Sequence, residues 1–131
     1  MSDEFEIAGT TDILLVGDRA LLSTVSGQLD ALNANLCLFL ARNMSEAVGV
    51  YSVANLHVVI LGVFKKDIQG YLARLRECSV FSPPPIIVCT WDVSKSFRNK
   101  MKEAGVSALV ERGAFGAVDL TAALREAKVL P

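Results

Sequence analysis

The chain of 131 residues carries 13 basic and 14 acidic side chains, a net charge of −1, and is 52% hydrophobic. That length suits one domain with its own core and leaves little room for a second, while the balanced charge argues against a general nucleic-acid binder. Three cysteines (Cys37, Cys78 and Cys89) in no CxxC spacing, with a single histidine, His57, argue against a zinc site and for reduced thiols in a reducing compartment. Residues 1–11, MSDEFEIAGTT, are acidic and have neither a basic n-region nor an apolar h-region. They are expected to form a flexible tail rather than a signal peptide, with the domain spanning residues 12–131. No apolar run approaches the roughly 20 residues that span a bilayer, so a soluble, cytoplasmic protein without membrane insertion is expected.

Five short, nearly continuous apolar runs then recur roughly every two dozen residues, at 13–16, 36–40, 58–63, 86–89 and 108–110. Continuous rather than alternating runs mark strands buried on both faces, as in a parallel sheet covered by helices. Between them lie helical stripes. Leu22, Val25, Leu29 and Leu32 share one face of a first helix. Asn43 and Glu46 have capping-box spacing ahead of a second helix near residues 45–54, which Gly49 and its β-branched residues should weaken. Ile68, Leu72 and Leu75 mark a third, with Asp67 as its initiating residue. Val93, Phe97, Met101 and Ala104 mark a fourth, stopped by Gly105. Leu120, Leu124 and Ala127 mark a fifth, with Asp119 near its start. Five β-α units with right-handed crossovers give a parallel α/β sheet with helices on both faces. Sites in such sheets form at the carboxyl ends of the strands, so the residues just after each strand are the informative ones.

Those residues read Gly17-Asp18 after the first strand, Gly62 at the end of the third, Thr90 after the fourth and Arg112-Gly113 after the fifth. The arrangement resembles the receiver domains of two-component response regulators over nearly all of residues 12–129. The resemblance implies the flavodoxin-like (βα)5 fold, a doubly wound parallel five-stranded sheet of order 2-1-3-4-5. Receivers carry an acidic pair after the first strand, a phosphoacceptor aspartate ending the third, Ser or Thr ending the fourth and Lys-Pro ending the fifth. Here one carboxylate of the pair is gone, which weakens a Mg²⁺ site. Gly62 stands at the acceptor position and has no oxygen to phosphorylate. Arg112 replaces the lysine with a different geometry, pairing with Asp18 or lying in solvent, and Leu109 stands where the family has a switch aromatic. Thr90 alone matches, with no phosphoryl group to follow. Phosphotransfer needs nucleophile, metal and cation together. The resemblance is therefore to a degenerate member, a pseudo-receiver without catalytic residues, cofactor or metal, whose vestigial pocket is Gly17, Asp18, Gly62, Thr90 and Arg112.

Such a domain is expected to be no enzyme but a protein–protein interaction module. In the receiver family the face made by the fourth helix, fifth strand and fifth helix commonly mediates dimers and docking. Trp91, Phe97, Arg98, Lys102 and Arg125 are the candidate partner surface, for a protein partner or a homodimer. Trp91 either anchors a partner or folds back over the pocket. Phe64-Lys65-Lys66 reads as a solvated loop, and His57 as a strand-end residue. The pilus-localisation ATPases of tight-adherence systems carry an atypical receiver at their N-terminus, and certain antitermination regulators begin with degenerate receivers. The chain is similar in kind to these. Two other functions remain open: a small-molecule-binding domain or enzyme on the same fold, though the first β-α turn lacks the GxGxxG and GxxxxGK[ST] signatures, and a receiver using another acceptor.

Overall fold

A computed structural model describes residues 11–31, 36–79, 83–91, 94–111 and 117–127. Strands β1 (Thr11–Gly17), β2 (Leu36–Ala41), β3 (Val58–Gly62), β4 (Ile86–Thr90) and β5 (Ala108–Glu111) alternate with helices α1 (Arg19–Ala31), α2 (Met44–Val53), α3 (Ile68–Glu77), α4 (Lys95–Glu103) and α5 (Ala117–Glu126). The sheet is parallel, in the order β2-β1-β3-β4-β5. This is the flavodoxin-like order expected from the resemblance. β1 begins at Thr11, one residue inside the expected tail, while residues 1–10, Leu32, Val93 and Arg112-Gly113 lie outside the described residues.

Each strand sends alternate side chains to opposite faces. Ile13 and Leu15 of β1 therefore enter a core with Val25 and Leu29 of α1 and Leu124 of α5. Leu14 and Val16 enter the other, with Tyr51 of α2, Leu72 and Leu75 of α3, and Phe97 and Met101 of α4. β3 is buried throughout, β1 from Ile13 on and β4 from Ile87 on, which is why these stretches read as unbroken apolar runs.

The helix ends follow from local chemistry. Asn43 Oδ1 accepts the Glu46 N–H at 2.9 Å, and Glu46 Oε1 reaches back to the Arg42 N–H at 2.8 Å, one residue earlier than a standard capping box. Ser94 Oγ caps α4 by accepting from the Phe97 N–H. At the other end of α4, Gly105 takes φ +91. Its N–H reaches Lys102 O and the Val106 N–H reaches Met101 O, each at 3.0 Å. This is a Schellman stop, with Val106 and Met101 in the same core. Arg76 of α3 donates to the Ala104 carbonyl at that terminus. Asp67 behaves differently from expectation. It ends a 3-10 turn, Lys65–Asp67, in an αR conformation, and its side chain makes no cap bond to α3. His57 does sit at the entry to β3, where its Nδ1 accepts the Asp12 N–H and its own N–H donates to Asp12 O.

Candidate functional site

Parallel pairing places Gly17 level with Gly62 at the carboxyl ends of β1 and β3. Both lie under the first turn of α1. Asp18 starts that turn: its Oδ1 accepts the Leu21 N–H at 2.9 Å and its carbonyl accepts the Leu22 N–H. The cap fixes the direction of Leu21, which is 4% exposed and belongs to the core beneath. A Cβ built on Gly62 would lie 1.9 Å from Leu21 Cδ2, and one on Gly17 would lie 2.8 Å from the same atom. Real carbon atoms do not approach so closely. A side chain at either strand end would therefore have to displace the end of Leu21. Sequence reading missed Leu21. It neighbours the apolar stripe of α1, and nothing in its own context marks a contact with residue 62.

Beside this plug opens a cavity of about 280 Å³ lined by Gly17, Asp18, Arg42, Asn43, Gly62, Val63, Phe64, Asp67 and Tyr71. Of the residues expected at the pocket, the structure brings Gly17, Asp18 and Gly62 together. Thr90 is 4% exposed at the end of β4, level with Glu111 of β5, and is not among the lining residues. Arg112, and with it the expected pairing to Asp18, lies outside the described residues.

Three of the polar lining residues hold the fold. Asp18 caps α1 and Asn43 caps α2. Arg42 pairs with Glu46 at 3.7 Å across an exposed surface, a contact of small energetic weight. Tyr71 is buried, and its phenol is held above its ordinary value of 10, first by burial and then by the charge of Asp67. The divalent cation that the resemblance implies does not fit here. Neither glycine offers a side-chain oxygen, and Asp18 spends Oδ1 on the helix. Among the described residues, no three of His, Cys, Asp and Glu gather as metal ligands would.

The expected partner surface divides. Trp91 is 69% exposed and does not line the cavity, so it does not fold back over the pocket. Arg98, Lys102 and Arg125 are exposed. Phe97 is a correction: at 5% exposure it is a core residue of α4, because the stripe it shares with Met101 faces the sheet. The α4-β5-α5 face carries a groove lined by Arg98, Leu109, Val110, Glu111, Ala122, Ala123 and Glu126. No helix among the described residues is long and apolar enough to cross a membrane.

No family model matches the chain, and no curated protein does. Solved structures match along most of its length. One is described as a CpaE2 pilus assembly protein of Sinorhizobium meliloti, 19% identical, covering 89% of this chain and 99% of that one, with a TM-score of 0.71. The chemotaxis protein CheY4 of Vibrio cholerae is 21% identical, with 93% and 100% coverage and a TM-score of 0.75. The receiver domain of the sensor histidine kinase PA1611 of Pseudomonas aeruginosa, whose active-site cleft coordinates magnesium, is 18% identical, with 92% and 99% coverage and a TM-score of 0.72. The chain has the fold of response-regulator receiver domains.

Proposed function

We propose that the chain is a non-phosphorylatable pseudo-receiver, a cytoplasmic protein–protein interaction module in bacterial signalling or localisation. It would serve as the N-terminal domain of a larger regulator such as a pilus-localisation ATPase, a reading supported by the likeness to the S. meliloti protein. The observation that carries the proposal is the filled strand end. The acceptor position is Gly62, and Leu21 stands 1.9 Å from where its Cβ would be. The cavity beside that strand end stays open, but residue 62 brings no carboxylate to it, and a side chain placed there would meet Leu21. Asp18, Asn43 and Arg42 of the lining are engaged in capping and pairing, which supports this reading over an enzyme or small-molecule site.

Output then comes from a standing surface. The α4-β5-α5 face sets basic Arg98 and Lys102 on α4 against acidic Glu111 and Glu126 on β5 and α5. Such a two-signed patch is self-complementary about a two-fold axis and equally suits a partner of matching pattern. The test is an NMR titration of the labelled domain with Mg²⁺ and beryllofluoride, beside mass spectrometry after a small phosphodonor. Amides near Gly17, Gly62 and Thr90 are expected to stay still and the mass to stay unchanged. Saturable shifts there, or gain of one phosphoryl group, would overturn the proposal.

A further inference from the structure

Charge is unevenly distributed over the molecule. Residues 65–77 and 95–103, the 3-10 turn with α3 and α4, hold eight of the 13 basic side chains and three of the 14 acidic ones. These 22 residues are thus five positive charges in excess within a chain of net charge −1. Part of the arrangement works against α4, although Lys100 and Lys102 in its last turn suit the helix dipole. Lys95 opens α4, whose first turn has no acid, where the macrodipole disfavours a cation, and Arg98 and Lys102 repeat like charges at i,i+4. A local choice that opposes the fold points to use elsewhere.

The structure gives this charge a shape. Between the 3-10 turn and α4 lies a cleft of about 440 Å³ lined by Lys65, Lys66, Gln69, Phe97, Lys100 and Met101. Its apolar floor is Phe97 and Met101, 5% and 2% exposed. Lys65 Nζ lies 4.9 Å from the Phe97 ring centre, Lys66 and Lys100 are exposed on the rim, and the described lining holds no carboxylate. Phe64, next in sequence to Lys65, is 74% exposed and lines the strand-end cavity. The loop that reads in sequence as solvated is therefore one wall of a basic, apolar-floored recess.

The geometry points to this α3-α4 cleft as a docking site for an acidic segment of a partner protein. One apolar side chain of that segment seats on Phe97 and Met101, and its flanking carboxylates meet the lysines. A methionine and phenylalanine floor adapts to such an anchor, and a lysine rim steers an anionic partner. A nucleic acid fits less well. A polyanion suits a chain of uniform positive charge, whereas outside these two segments the sequence has eleven acids to five bases. The site is separate from the α4-β5-α5 groove and does not depend on whether Gly62 accepts phosphate.

The test titrates the labelled chain with a short synthetic peptide in which Glu and Asp flank Phe and Leu. Its Gln/Asn counterpart and a single-stranded oligonucleotide serve as comparisons. Saturable shifts at amides of Lys65, Lys66, Gln69, Lys100 and Met101 are expected from the acidic peptide alone. The double variant Lys66→Glu/Lys100→Glu should weaken them at least about tenfold, as removal of two rim charges would. Its spectrum away from the cleft should stay unchanged, which shows it is folded. The assignment fails if the acidic peptide leaves the cleft unmoved, if the neutral peptide binds equally, if the oligonucleotide alone binds there, or if the double variant binds as before.

Discussion

Leu21 and Gly62 are 41 positions apart in sequence and share one volume in the fold. That has a measurable sign. A methyl at residue 62 must displace Leu21 Cδ2, so Gly62→Ala is expected to destabilise by about 1–3 kcal/mol, the range for overpacking a core. Leu21→Ala removes a buried side chain and should cost about 2–5 kcal/mol. Because each change relieves the other, the double variant should be more stable than the sum of the two losses by about 0.5–3 kcal/mol. Urea denaturation of the four proteins measures this, and simple additivity would mean that the two residues do not compete for space. Asp18 is read differently once its bond is known. It looks like the surviving member of a metal-binding pair, yet Oδ1 holds the N-terminus of α1 and so aims Leu21 at the strand ends.

At the level of elements, α4 and α2 show how much lay open in the sequence. Gly105 reads as a helix stop, and the structure gives it φ +91 inside a Schellman turn. A Cβ there would meet only Arg76, at 3.4 Å, so the penalty of Gly105→Ala is conformational, about 1–2 kcal/mol. Gly49, exposed in the middle of α2 with nothing within 4 Å of a Cβ, should show the reverse. Gly49→Ala is expected to stabilise by about 0.5–1 kcal/mol. Denaturant midpoints moving in opposite directions with an unchanged slope would confirm the pair. These features were legible because they depend on residues within one turn of each other. So did the Asn43–Glu46 cap and the five runs that became strands. The filled strand end was not legible, since the contact of Leu21 with residue 62 exists only after β1 and β3 pair. Asp67 misled because the 3-10 turn before α3 turns its backbone away from a capping conformation. Phe97 misled as a surface residue because membership of the α4 stripe turns it to the sheet.

For the whole molecule, two kinds of surface meet at α4. One is the α4-β5-α5 groove with both charge signs, and the other is the α3-α4 side with one sign in excess. If copies associate through the groove, Arg98 of α4 should face Glu126 of a second copy about a two-fold axis. Arg98→Glu is then expected to loosen self-association in sedimentation runs, and Arg98→Glu with Glu126→Arg to recover it. Association that ignores both changes would exclude this face as the homodimer contact. Added salt should weaken whatever exposed charge pairs contribute, since the Debye length falls to about 8 Å at physiological ionic strength.

The leucine at the strand ends also bears on history. A receiver that lost its aspartate alone could regain it by one substitution. Here an aspartate arriving at residue 62 would find Leu21 in its place, and a smaller residue arriving first at 21 would open a void in the core. If the chain descends from a phosphorylatable receiver as proposed, each single step back carries a stability cost that the other step would relieve. The packing would then act as a ratchet, slowing return at these two positions.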